Sequence, residues 1–191
     1  MLLRTAALFL ALATAAPAAP LDDFLAAARG QIGVTVRYDG AYVPLAYPGG
    51  DVPGDRGVCT DVIVRAFRHT GLDLQQTLHE DMARAFSAYP QQWGLRAPDA
   101  NIDHRRVPNL ARYFERRGKK LPVTKTAADY RPGDLVTCLV PPHLPHIMIV
   151  SAATASDDPQ RHLVIHNIGQ GAREEDRLFE FELTGHYRWW Q

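Results

Sequence analysis

The sequence predicts an α+β domain, with helices from its N-terminal half packed on an antiparallel sheet from its C-terminal half. Three observations carry this. Val62, Ile63, Ala66 and Phe67 recur at helical spacing within residues 59–69. From residue 130 the pattern changes to short apolar or alternating runs at 135–140, 147–151, 163–166 and 178–183. Turn residues separate those runs: Pro141-Pro142, Asp157-Asp158-Pro159 and Gly169-Gln170-Gly171.

Taken in order, the chain opens with Met1-Leu2-Leu3-Arg4, an apolar run at 6–13 and small residues around Ala16-Pro17-Ala18. This is the pattern of a secretory signal peptide over residues 1–18. The run is shorter than the roughly 20 apolar residues of a membrane span. The expectation is a periplasmic or secreted protein with one domain over residues 19–191 and no membrane contact once the leader is cleaved. Residues 21–32 read as a first helix, with Asp22 and Asp23 at its positive end. Residues 37–57, rich in Gly, Pro and Asp, read as a loop. Helix 59–69 stops at Gly71. Residues 76–88 read as a third helix, and Pro90, Gly94 and Pro98 break the stretch after it. Residues 108–117 read as a fourth, with Pro108 in its first turn and Gly118 beyond its end.

Length and charge narrow the function classes. A chain of 191 residues buries a normal core without a staple. Its composition is 46% hydrophobic and 22% charged, with zero formal net charge, so no basic excess points to nucleic acid. Local basic clusters such as Arg105-Arg106 read as solvated helix faces.

The chemistry centres on Gly57-Val58-Cys59-Thr60-Asp61. A Gly-containing loop delivers a cysteine to the first turn of an apolar helix. Unpaired backbone N–H groups and the helix dipole stabilise a thiolate there, which predicts a lowered thiol pKa and a nucleophile. Cys138, inside the run 135–140, reads as an inert sheet residue. A disulfide between the two is the alternative for a secreted chain. His146 opens an apolar strand, where a rigid imidazole can meet a helix-borne sulfur as base. On the next strand His166 or Asn167 would orient it; alternation allows only one of them to face the site.

These residues resemble a known group. A cysteine opening a helix, then Pro132-Gly133-Asp134-Leu135-Val136, then His146 opening a strand, is similar to the NlpC-type cell-wall cysteine peptidases. That likeness implies a reduced papain-like fold and cleavage of a peptide or amide bond in peptidoglycan. The chain more closely resembles the YijF-like bacterial family, a domain of unknown function. Segments across nearly all of the mature chain carry that likeness: Gly57-Val58-Cys59-Thr60-Asp61, His79-Glu80-Asp81-Met82, 101–110, His166-Asn167-Ile168-Gly169 and Gly185-His186-Tyr187-Arg188. Two features depart from the NlpC-type pattern. Asp61 places a negative charge near the thiol, and the stretch between Cys59 and His146 is longer than usual.

The expected catalytic set is Cys59, His146 and His166, with Asn167 as the alternative third member. The surplus residues supply the expected substrate contacts: Asp61, Asp81, Asp103, His104 and Arg105, with Tyr38 walling the groove. Carboxylates and amines of a peptide substrate suit such groups. The implied partner is peptidoglycan or another peptide-like amide, cut by a stem-peptide endopeptidase or amidase through a thioacyl intermediate. No cofactor or metal is implied. Three rivals share the sequence: a zinc hydrolase using His143, His146 and His166, a non-catalytic envelope-binding module, and a transamidase or deamidase with the same thiol.

Overall fold

The computed structural model describes residues 20–190; the leader expected at 1–18 lies outside them. Helix α1 (Pro20–Arg29) begins on a proline, carries Asp22 and Asp23 in its first turn and Arg29 in its last, an order that suits the helix dipole. It is shorter than the expected 21–32. The loop after it carries two short strands, β1 (Arg37–Tyr38) and β2 (Arg56–Gly57), paired in parallel. Helix α2 (Cys59–His69) coincides with the predicted one and buries eight of its residues, from Cys59 to Phe67. Helix α3 (Leu74–Arg84) is capped by Asp73, whose carboxylate accepts a hydrogen bond from the Gln75 backbone. It ends before the expected boundary, where Phe86–Ala88 tightens into a 3-10 turn. Helix α4 (Val107–Arg116) has its proline in the first turn.

The sheet is six-stranded and antiparallel, in the order β3-β8-β4-β5-β6-β7. Its members are β3 (Lys120–Leu121), β4 (Leu135–Val140), β5 (Leu144–Thr154), β6 (His162–Asn167), β7 (Ala172–Glu175) and β8 (Glu182–Tyr187). The molecule is therefore α+β, as the pattern predicts. One expected strand is corrected: residues 178–183 are mostly a turn, and β8 starts at Glu182. Leu178, Phe179 and Phe181 alternate like a strand because they cover the sheet rather than join it.

Both faces of the sheet are buried, so side-chain parity decides which core each residue enters. Leu135, Ile147, Ile149 and Ile165 face the helices. Phe67 sits at the centre of that core, with ring centroids 4.8 Å from Phe24 and 5.5 Å from Trp189. Val136, Cys138, Met148, Val150 and Val164 face the other way, under Tyr130 and Leu178. Cys59 and Cys138 thus belong to different cores, and both are free thiols.

Two polar braces fix the frame. Arg65 of α2 reaches out to Asp51 and to the Val52 and Arg56 carbonyls, holding the loop that leads into its own helix. Asp134, in the Pro-Gly-Asp turn, accepts from His186 and Arg188 and so ties the start of β4 to the end of β8. Among the described residues no helix is long and apolar enough to cross a membrane.

Candidate active site

The site forms where the start of α2 meets β5 and β6. The pairing of these strands begins at Ile149 opposite Ile165, so Ile147 and Asn167 are not partnered with each other, although each pairs with its other neighbour strand. The chain ahead of α2 fills that gap. The Asn167 side chain donates to the Gly57 carbonyl at 2.9 Å, and its oxygen accepts from Gly169. The Cys59 sulfur lies against the backbone of Ile147, the residue after His146.

The helix start is held by a buried ion pair. Asp61 accepts from the Val58 backbone N–H at 2.7 Å, closing the first turn of α2. Its carboxylate also receives the Arg105 guanidinium at 3.0 Å, with the two side chains only 3% and 1% exposed. Arg105 directs its remaining donors to the Asp39 and Ala41 carbonyls, which anchors the loop bearing Tyr38. Gly57 is required by this closeness: a Cβ there would lie 2.8 Å from the Asp61 carboxylate, which Arg105 prevents from moving.

The imidazoles lie on the second face. His146 stands opposite Cys138 in the β4–β5 register, and its Nε2 is 2.9 Å from Nδ1 of His166. His166 shares its face with Val164 and turns its Nε2 to Glu175 Oε2 at 3.1 Å. Both histidines are buried. Arg177 and Arg173 flank Glu175 at 3.6 and 3.9 Å. A cavity of about 130 Å³ borders His166 and Glu175. The row Glu175–His166–His146 therefore runs across the second face of the sheet, opposite the helix-side core that holds Cys59. Among the described residues no hydrogen bond joins Cys59 to His146; the contact stops one residue away, at Ile147.

The electrostatics reverse one expectation. Burial pushes the Cys59 thiol up to about 12 and the Asp61 carboxylate adds to this, against opposing hydrogen bonds from the Ile147 and Thr60 backbone. The helix terminus alone predicts a lowered value; removal from water outweighs it here. Burial likewise lowers His146 to about 3, with His166 and Arg177 contributing. His166 is lowered by burial, with the Glu175 hydrogen bond acting in the opposite sense. At rest the Cys59 thiol and the His146 imidazole are both neutral.

The expected substrate contacts are mostly corrected. Asp61 and Arg105 are engaged with each other. Asp103 is 1% exposed and braces the Asp99 backbone, Arg106 and Asn109. His104 is buried, and burial lowers it to about 4. Asp81 is engaged by Tyr89 and Arg116. Asp61, Asp81, Asp103 and Arg105 brace the fold through these contacts, whereas His104 is buried with its Nδ1 unpartnered among the described residues. Tyr38 is different. Its phenol is pushed up to about 12, first by burial and then by its neighbours Cys59 and Asp61, while the residue is 47% exposed. It lies near Cys59 and is open to solvent. Glu175 is the residue that sequence reasoning misses. It lies on a short polar strand, AREE, with no apolar run to mark it in the sequence.

Two outcomes are expected from this geometry. Arg105→Ala leaves a buried carboxylate uncompensated and is expected to cost about 3–5 kcal/mol in urea unfolding. The double variant Asp61→Leu with Arg105→Met recovers part of that loss. Single variants costing less than about 1 kcal/mol would contradict the brace. Acid is expected to destabilise the fold through the buried histidines. His104 binds its proton near the ordinary value of 6.5 when unfolded but only near about 4 when folded. Below pH 6.5 the unfolded state therefore holds more protons, and stability falls as pH drops toward 4. The effect reaches up to about 3 kcal/mol for this group. Thermal unfolding from about pH 7 down to about pH 4 checks it. His104→Gln should flatten the slope, and an unchanged slope removes His104 as the cause.

The comparisons with known proteins agree on one family. The model for "Domain of unknown function (DUF1287)" matches residues 25–189. An Escherichia coli (strain K12) protein described as "Uncharacterized protein YijF" is 55% identical over 162 residues, covering 85% of this chain and 78% of the relative. With the match spanning the helices, the sheet and every residue of the site, the chain belongs to the DUF1287 family.

Proposed function

We propose that this protein is a cysteine hydrolase of papain-like type that cleaves an amide or peptide bond. One observation supports the reading above others: a cysteine at the first position of a buried helix lies against the residue following His146, and His146 is hydrogen-bonded into a row of buried imidazoles. A thiol and a base held this way suit nucleophilic catalysis.

In this mechanism the Cys59 sulfur attacks the amide carbonyl as His146 takes its proton. The C–N bond then breaks as the imidazolium protonates the leaving amine, leaving a thioacyl enzyme. His146 next removes a proton from water, and the hydroxide releases the acid and regenerates the thiol. The backbone N–H of Cys59, at the helix start, serves the developing oxyanion. His166 orients His146, a role that Asn167 does not share because its amide is committed to Gly57.

Peptidoglycan is the proposed substrate, cut as a stem-peptide endopeptidase or amidase. That part rests on the likeness to NlpC-type peptidases and on the leader-like residues 1–18, which also support a periplasmic or secreted location. One observation favours a second reading. The thiol is buried and neutral at rest, which equally suits a non-catalytic envelope-binding module.

The readings separate by mass spectrometry of fragments released from purified peptidoglycan. The hydrolase predicts fragments from wild type and none from Cys59→Ala or His146→Ala. Equal release by wild type and Cys59→Ala would remove the thiol mechanism, and binding without release would favour the module.

A further inference from the structure

We propose that Glu175 is a positioning residue that fixes which nitrogen of His146 can accept the thiol proton, acting through His166. Its catalytic consequence rests on the hydrolase reading; its effect on the histidines does not.

The register places the groups. On β6 and β7, Val164 stands opposite Glu175 and His166 opposite Arg173. All four point to one face, so Glu175 reaches His166 diagonally. The two contacts, 3.1 Å from Glu175 to His166 and 2.9 Å from His166 to His146, are both of hydrogen-bond length.

The protons can then be assigned. An ionised carboxylate only accepts, so His166 must carry its proton on Nε2. A neutral imidazole has one N–H, which leaves His166 Nδ1 with a lone pair. That lone pair requires a donor, so His146 must carry its proton on Nε2. The remaining His146 nitrogen, Nδ1, holds a lone pair. Nδ1 is also the ring nitrogen nearer its own backbone, and the next residue, Ile147, is the one whose backbone contacts the Cys59 sulfur. No hydrogen bond engages it among the described residues.

Reversing one end reverses the row. If position 175 donates instead of accepting, His166 Nε2 becomes an acceptor and its Nδ1–H donates to His146 Nε2. His146 Nδ1 then carries the proton and cannot take another from sulfur. Arg177 and Arg173, on either side of Glu175, can only donate, which suits an acceptor at position 175 and hence the base-competent arrangement. When His146 accepts the thiol proton, the same carboxylate offsets the charge of a buried imidazolium. The carboxylate touches neither sulfur nor substrate and works only through His166.

Long-range ¹H–¹⁵N correlation spectra of the imidazoles in the full mature chain read the tautomers directly. His146→Gln and His166→Gln supply the assignments. Wild type at neutral pH should show both rings as Nε2–H. In Glu175→Gln, whose amide can donate, His166 should show Nδ1–H in part or in full. The rate at which iodoacetamide modifies Cys59 should fall by about tenfold or more, with the melting temperature retained. Nδ1–H on His166 in wild type overturns the proposal whether or not the variant folds. So does a Glu175→Gln protein with unchanged tautomers and unchanged Cys59 reactivity. If the tautomers behave as stated but wild-type Cys59 is inert, the positioning role stands and the hydrolase reading fails.

Discussion

The site depends on the ion pair between Asp61 and Arg105. Burying two charges is favourable only when their remaining hydrogen-bonding capacity is met. Here it is met almost entirely by backbone. Asp61 closes the first turn of α2 through Val58, and Arg105 holds the carbonyls of Asp39 and Ala41. One pair thus joins the helix start, the loop carrying Tyr38 and the turn ahead of α4. It is the brace that holds Cys59 at the opening between β5 and β6.

That opening reconciles two facts that look opposed. By parity Cys59 belongs to the helix-side core and His146 to the far side. A continuous ladder would separate them. Because pairing begins only at Ile149 and Ile165, the sulfur reaches the strand backbone itself. Asn167, paired with β7 but not with β5, binds the loop instead. The cost is solvent exclusion: thiol and imidazole are both driven to their neutral forms, so any reaction begins with a proton transfer inside the protein.

Much of this is legible in the sequence. The helix from Cys59 to His69 is marked by its apolar spacing and by Gly71. The strands through Val136, Met148 and Val164 are marked by short apolar runs between turns. The alternation around His166 and Asn167 implies that one of them faces away. Other parts are hidden for physical reasons. Asp61 and Arg105 are 44 residues apart, and nothing local distinguishes a buried partnered charge from an exposed one. The same ambiguity makes Asp81, Asp103 and His104 look like groove residues when the two carboxylates are braces and the imidazole is buried. Residues 178–183 alternate like a strand because they pack on a sheet face. The polar strand β7 has no apolar run, so Glu175 carries no mark of its place beside His166.

The central claim is that Cys59 is a nucleophile activated by His146. Its most direct test is site-resolved mass spectrometry of the native protein after brief alkylation, with Cys138 as the internal buried control. Wild type is predicted to label at Cys59 but not at Cys138, and His146→Ala to lose Cys59 labelling at unchanged fold. Cys59 that stays unlabelled in the native protein, or that labels equally well without His146, would contradict it.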